Sequence, residues 1–349
     1  MKNYKLAIVG ATGVVGRMML KVLEEERLPI SEYKLFASKN SAGTKIKFMG
    51  SEYTVNELTE HSFDEGFDFA LFSAGATTSK KFSPIAASNG CIVIDNSSAF
   101  RMDPEVPLVV PEVNPYDISK NNGIIANPNC STIQAVVPLK VLDDKYSIKR
   151  IVYSTYQAVS GAGKNGILDL ENGIENYKKN NSFVGHFEKQ NSNDYTLRKF
   201  EYPIFNNCLP HIDVFLDNGY TKEEEKMINE TRKILGKPNL NITATCVRVP
   251  VFNSHSESIN IEFENSFDIN EVVSLLDNTP GIILMDNTKE NIFPLAQDST
   301  SHNEVFVGRI RRDYSISNGL NLWVVADNIR KGAATNSIQI LEKILETNK

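Results

Sequence analysis

The chain has 349 residues, 41% hydrophobic and 23% charged, with 37 Lys and Arg against 43 Asp and Glu for a formal net charge of −6. That length suits two domains with separate cores, and that composition excludes a mostly disordered chain. A mildly acidic chain without a basic block is a poor fit to nucleic-acid binding, and no apolar run reaches the roughly 18 residues of a membrane span. The start, Met1-Lys2-Asn3-Tyr4-Lys5, lacks the apolar segment and cleavage site of a secretion signal, so a cytoplasmic protein is expected. Cys91, Cys130, Cys208 and Cys246 are widely spaced with no CxxC pair. They read as reduced thiols, and no metal site is expected.

The first half alternates strands and helices. Residues 5–9 are a short apolar run ending at Gly10, the pattern of a buried parallel strand. Helical spacing follows over 14–26 and is ended by Pro29. Strands are expected at 33–37, 67–72 and 91–94, with short extended pieces at 108–110 and 123–126. A turn of small residues at 73–76 precedes a helix at 83–89. This alternation predicts parallel pairing in an open α/β sheet. After Cys130 the texture changes. A helix at 133–142 leads to strands at 150–157, 243–251, 257–264, 281–285, 305–311 and 320–325. Helices are expected at 163–178, 222–235, 270–277 and 331–347, and the Asn- and Lys-rich stretch 172–193 reads as a solvated loop. Runs of strands with fewer helices predict a mixed sheet in a second domain.

Gly10-Ala-Thr-Gly13-Val-Val-Gly16 sits where a strand hands over to a helix. Glycine permits the tight turn and lets backbone N–H groups approach a pyrophosphate at the helix N-terminus. At the end of the second strand, Ala37-Ser38-Lys39-Asn40-Ser41 contains no acid to hold a ribose 2′-hydroxyl. Hydroxyls and a lysine there suit a 2′-phosphate, hence NADP.

Asn127-Pro128-Asn129-Cys130-Ser131-Thr132 is the most informative stretch. Pro128 keeps the residue before it extended, and Ser131 and Thr132 are expected to cap the following helix. That puts Cys130 at a helix start, where the positive end of the dipole favours thiolate and makes it a candidate nucleophile. Five histidines are available as acid–base groups: His61, His186, His211, His255 and His302. By pattern alone a single histidine is more often structural. His255 stands out because it follows the strand carrying Arg248 and is flanked by Ser254 and Ser256.

Several motifs together resemble the bacterial aspartate-semialdehyde dehydrogenase family over nearly the whole chain. They are the glycine motif, Asn96-Ser-Ser-Ala-Phe-Arg101, Asn127-Pro-Asn-Cys130, Tyr156-Gln157-Ala-Val-Ser-Gly161-Ala-Gly163 and Asp327-Asn328-Ile-Arg-Lys-Gly332. The resemblance implies a Rossmann-like dinucleotide-binding domain at 1–129 with 328–349, and an α+β catalytic and dimerisation domain with a mixed sheet at 130–327. It implies NADP- and phosphate-dependent interconversion of aspartate semialdehyde and aspartyl phosphate, in biosynthesis of lysine, methionine and threonine, by a homodimer or homotetramer. Cys130 looks like the nucleophile, His255 the acid–base and Gln157 the group orienting the thioester. Arg248 suits the substrate carboxylate through a bidentate fork. Glu223 is similar to the family's ammonium-binding acid, and Lys226, Arg101 and Asn129 to its phosphate site. Read without the family, Glu223 to Lys226 is a solvated charged helix start. The expected dinucleotide contacts are Gly10, Thr12, Gly13, Val14, Ser38, Lys39, Ser41, Ser73, Gly75, Ser160, Gly161 and Asn328. Many members carry arginine where this chain has Asn40, so the 2′-phosphate expectation rests on Ser38, Lys39 and Ser41. The competing readings are a reductase of the N-acetyl-glutamyl-phosphate type, a CoA-acylating dehydrogenase and an NADP-binding sensor that kept the fold and lost the chemistry, the last opposed by the presence together of Cys130, Gln157, Arg248 and His255.

Overall fold

The computed structural model describes residues 4–180 and 197–347. The chain forms two compact units, one of residues 1–136, 229–238 and 330–349, the other of residues 137–228 and 239–329.

The first unit is built on a parallel sheet. Its spatial order is Asn56–Glu57, Ile30–Ala37, Tyr4–Val9, Phe69–Phe72, Ile92–Asp95, Ile124–Ala126. The chain builds outward one way from the central Tyr4–Val9, then crosses over and builds the other way. Alternate residues face opposite sides, as a strand requires. Leu6 and Ile8 join one apolar cluster with Leu35, Leu71 and Ile94, covered by the helices Val14–Glu26 and Asn336–Thr347. Ala7 and Val9 join another with Phe36, Phe63, Phe72 and Val93. Both faces are buried, which is why these strands read as continuous apolar runs. The C-terminal helix supplies Ile338, Ile340, Leu341, Ile344 and Leu345 to the first cluster, each side chain contributing about 1.5–3 kcal/mol.

The second unit has the expected mixed sheet, ordered Asn241–Arg248, Ile148–Gln157, His255–Phe263, Gly319–Ala326, Val305–Asp313, Ile282–Leu284. The two outer pairs are parallel and the inner ones antiparallel. One face is buried, with Tyr153, Ile259 and Leu322 fully covered. The other is half polar and exposes Tyr156 against Trp323.

Three local expectations are corrected, and one hairpin had no counterpart among them. The helix expected at 83–89 spans Ala76–Ser88; it is covered through Ser79, Ser83 and Ala86, so its buried face carries no apolar period. Pro84 lies inside it. The stretch from 172 is helical through Asn180, because Ile167, Leu170 and Ile174 form an apolar stripe while Glu175, Lys178 and Lys179 stay exposed; its remainder lies outside the described residues. The extended piece at 108–110 makes only an isolated bridge, Leu108 to Ala126. A hairpin, Lys45–Phe48 with Ser51–Thr54, was not legible: its turn puts Met49 and Gly50 at φ 49° and 72°, and methionine is a poor signal for a left-handed position.

Candidate active site

In the first unit the strand order reverses at Tyr4–Val9, and such switch points open a crevice at the carboxyl ends of the strands. Gly10 leaves its strand at φ 86°, and a Cβ there would stand 2.3 Å from the Ser73 carbonyl oxygen. A Cβ on Gly16 would stand 2.1 Å from the Gly10 oxygen. Only glycine keeps these backbones together. Gly13 caps the helix Val14–Glu26 without any side-chain bond, which leaves the helix start to an anion. Gly75, at φ 83°, starts the helix after Ser73 in the same uncapped way. Ser38 and Lys39 are exposed and Ser41 half-buried, in a short 3-10 turn just beyond the strand Ile30–Ala37. This cradle and its flanking cation fit a dinucleotide.

The same unit holds Cys130, Asn129 and Arg101. Cys130 is the first residue of the helix Cys130–Tyr146 and is partly exposed. Asn129, rather than Ser131 or Thr132, caps it: Asn129 Oδ1 accepts from the Ser131 N–H at 2.9 Å, and the two hydroxyl residues are buried in the first turn. An Asn side chain at the N-cap reaches the second N–H of the helix, which residues inside the helix cannot do from their own positions. Arg101 is buried. Its Nε donates to the Asn127 carbonyl at 2.9 Å, its Nη2 to the Asn96 carbonyl at 2.9 Å and its Nη1 to Glu230 at 3.1 Å. Asn127 Nδ2 donates to Asn96 Oδ1 at 2.7 Å, stitching the two motif segments together. The two buried cysteines are poor nucleophiles. Burial pushes the Cys91 thiol up to about 12 and the Cys246 thiol well up, so both stay protonated at neutral pH.

Gly332, which sequence reading left without a role of its own, lies against the nucleophile. It sits in a buried π-helical turn, Arg330–Thr335, and a Cβ there would stand 2.6 Å from Cys130 Cβ and 3.1 Å from Cys130 Cα. These neighbours are backbone and first side-chain atoms, so they cannot swing aside. The Gly332→Ala variant is expected to lower kcat about 100-fold by displacing the sulfur. Steady-state turnover checks this; unchanged kcat would mean the turn yields instead.

The second unit gathers the remaining residues at one end of its sheet. Arg248 pairs with Gln157, and Ser256 with Tyr156, which sets His255 beside Gln157. All three are buried. The Ala158 peptide links two of them: its N–H donates to His255 Nδ1 at 3.0 Å, and its carbonyl accepts from Arg248 Nη1 at 2.6 Å. An accepting Nδ1 carries no hydrogen, so the neutral ring holds its hydrogen on Nε2. Burial, reinforced by the Arg248 charge and opposed by Glu223, pushes the His255 pKa down to about 3, so the ring is neutral at neutral pH. Gly161 keeps the site open, since a Cβ there would stand 2.9 Å from Arg248 Nη1 and 3.1 Å from His255 Nε2. Asn328 Oδ1 accepts from the Ser254 N–H at 2.9 Å, and its amide exchanges hydrogen bonds with Ser160 Oγ. The ring is thus oriented by Ala158, while Ser254 serves through its backbone, at φ 72°.

Glu223 is buried rather than a solvated helix start. Its Oε1 accepts from Gln157 Nε2 at 3.1 Å and its Oε2 from Lys226 Nζ at 3.0 Å. Lys226 also donates to Asp213 at 2.8 Å, a partner the spacing of the sequence did not reveal. Burial disfavours the Lys226 ammonium, but Glu223 and Asp213 outweigh it and its pKa ends above the ordinary lysine value. One row further along the sheet, Glu257 is fully buried, and neither carboxyl oxygen has a partner among the described residues. Burial raises its pKa well above the ordinary carboxylate value.

Two family models match the chain: "Semialdehyde dehydrogenase, NAD binding domain" over residues 5–121 and "Semialdehyde dehydrogenase, dimerisation domain" over residues 139–331. The chain is 53% identical over 346 residues to an aspartate-semialdehyde dehydrogenase of Aquifex aeolicus, with 99% of this chain and 98% of the relative covered. It is 46% identical over 349 residues to the Bacillus subtilis enzyme, with 99% of each covered. Among solved structures, aspartate semialdehyde dehydrogenase II of Vibrio cholerae, complexed with ASA, matches at a TM-score of 0.91 and 44% identity, covering 99% of both chains. The cysteine at its capped helix start, the glycine cradle and the buried Arg–Gln–His row thus accompany full-length likeness, and the chain belongs to the aspartate-semialdehyde dehydrogenases, a family of oxidoreductases.

Proposed function

We propose that this chain catalyses the NADP-linked, phosphate-dependent interconversion of L-aspartate 4-semialdehyde and L-4-aspartyl phosphate through a thioester on Cys130. In the cell this is the reductive step that leads toward lysine, methionine and threonine. The observation that carries the reading is Cys130 itself, partly exposed at a capped helix start while Cys91 and Cys246 are buried and protonated. The relative from Vibrio cholerae was solved with ASA bound, which supports the same substrate here.

In the oxidative direction the Cys130 thiolate adds to the aldehyde carbon and makes an alkoxide. His255, with its hydrogen on Nε2, donates a hydrogen bond to that oxygen. A ring in this state is not the base that ionises Cys130; the helix start serves that purpose. When bound, NADP supplies the acceptor for the hydride leaving the adduct. Gln157 orients the resulting thioester carbonyl. Phosphate held by Arg101, Lys226 and Asn129 attacks it, loses its hydroxyl proton to solvent and expels the Cys130 thiolate. Arg248 forks the substrate α-carboxylate and Glu223 takes the α-ammonium. A buried anion at Glu223 has no use for an acylated, neutral nitrogen, which disfavours an N-acetyl-glutamyl-phosphate substrate.

The glycine cradle with Ser38, Lys39 and Ser41 suits NADP, with Thr12, Val14, Ser73 and Gly75 along the same crevice. Ser160, Gly161 and Asn328 face the nicotinamide end in this reading. Residues 1–129 with 328–349 bind the dinucleotide and lend Arg101 and Asn129 to phosphate, and residues 130–327 carry the remaining substrate groups. A second copy of the chain covers the half-polar sheet face at Tyr156 and Trp323, making a homodimer.

The test is a steady-state assay with aspartate semialdehyde and phosphate, with NADP and NAD in parallel. No NADP reduction, or turnover indifferent to omitting phosphate, sinks the reading. The Arg248→Lys variant is expected to lower kcat/KM for the semialdehyde more than about tenfold, because a point charge cannot reproduce the fork. A smaller change would remove Arg248 from the carboxylate.

A further inference from the structure

The proposed function gives phosphate to Arg101 and Asn129 but leaves open what holds those two groups. Both are tied to one turn of the helix Lys222–Leu235. Glu230 is buried, with 1% of its side chain exposed. Its Oε1 accepts from Arg101 Nη1 at 3.1 Å and its Oε2 from the Asn129 backbone N–H at 2.6 Å. Three residues on, Lys233 Nζ donates to the backbone carbonyls of Arg101, Asp103 and Val106 at 2.8, 2.7 and 2.8 Å. One helical turn therefore grips the Arg101 guanidinium through an anion and the Arg101 main chain through a cation.

The remaining donors of Arg101 follow by count. A guanidinium has five N–H groups. Among the described residues, Nε is committed to Asn127, one hydrogen of Nη2 to Asn96 and one of Nη1 to Glu230. One N–H is left on each terminal nitrogen, available to an anion such as phosphate.

We propose that Glu230 and Lys233 are positioning residues that fix Arg101, and the backbone N–H of Asn129, for phosphate. This rests on the reading of Arg101 as a phosphate ligand. Charge alone argues the opposite sign for Glu230. A carboxylate beside an anion site repels the anion, so removing its charge would tighten phosphate if electrostatics decided. The geometry opposes this: without Glu230 the guanidinium loses one of three anchors and the Asn129 N–H loses its acceptor.

The experiment measures KM for inorganic phosphate in the full-length enzyme at saturating semialdehyde and NADP. Glu230→Gln is expected to raise phosphate KM about tenfold, as loss of a charge-assisted hydrogen bond does. Semialdehyde KM is expected to move less than about twofold, which a general loss of folded enzyme would not reproduce against phosphate alone. Glu230→Asp, keeping the charge, recovers part of the effect. Lys233→Met raises phosphate KM in the same way and carries the comparison if Glu230→Gln is not recovered folded. In an Arg101→Ala background, Glu230→Gln adds less than it does in the wild type, because only its hold on the Asn129 N–H is left to lose. Phosphate KM unchanged or lowered in Glu230→Gln, while Arg101→Ala raises it, overturns the inference alone. Phosphate KM unmoved by Arg101→Ala, or wild-type turnover indifferent to phosphate, overturns the reading beneath it and the inference with it.

Discussion

The Cys130→Ala variant is expected to lose turnover by at least about 10⁴-fold, the scale on which removing a covalent nucleophile acts. No other cysteine is placed to rescue it. Cys91 and Cys246 are buried with raised pKa values, and Cys208 is exposed in a connecting segment away from any helix start. Dinucleotide binding should survive, because the cradle depends on the packing of Gly10 against Ser73 and of Gly16 against Gly10 rather than on the sulfur. Titration of NADPH fluorescence measures that binding, and stopped assays measure the residual rate. Mass spectrometry after brief iodoacetamide treatment should find Cys130 modified and Cys91 and Cys246 untouched. Retained turnover in the alanine variant would remove the thioester from the scheme.

Substitution of His255 is the second large effect, and it separates two roles for the ring. As a donor to an oxyanion, its removal in His255→Ala is expected to cost about 10²–10³-fold in kcat. His255→Asn keeps an N–H donor and is expected to retain more activity than the alanine variant. A ring acting as a base predicts that both variants fall equally, because an amide cannot accept the proton. Stability carries a second signature. The folded ring stays neutral down to about pH 3, while in the unfolded chain it protonates near its ordinary value of 6.5. Below that value the unfolded state binds more protons, so folded stability falls as pH falls. The slope from this group is at most about 1.4 kcal/mol per pH unit. Urea unfolding near pH 7 and near pH 5 should show a shallower loss in His255→Ala than in the wild type. Equal losses would mean the buried ring is already charged.

Much of the fold was written locally. Residues 6–9 are apolar on both faces because the strand is buried on both, and the helix Val14–Glu26 follows directly from 3.6-residue spacing after a glycine turn. The alternation through residues 150–157 suits a strand with one covered face, and in the structure Arg248 and His255 fall on that face by register. Elements that escaped reading lacked a local apolar signal: the helix Ala76–Ser88 packs through serines and alanine, and the Met49–Gly50 turn uses a residue that rarely takes its conformation.

The chemistry divides in the same way. Residue type and helix position alone made Cys130 a candidate, because a helix start acts on whatever side chain occupies it. The tautomer of His255, the burial of Glu223, the approach of Gly332 to Cys130 and the grip of Glu230 and Lys233 on Arg101 were decided only by the tertiary structure. Arg101 and Glu230 are 129 positions apart, and no periodicity relates them. Local dihedral preference and hydrophobic spacing act over a few residues, so a sequence displays them directly. A buried polar group takes whichever partner the closed fold delivers, so its partner exists only once distant segments have packed.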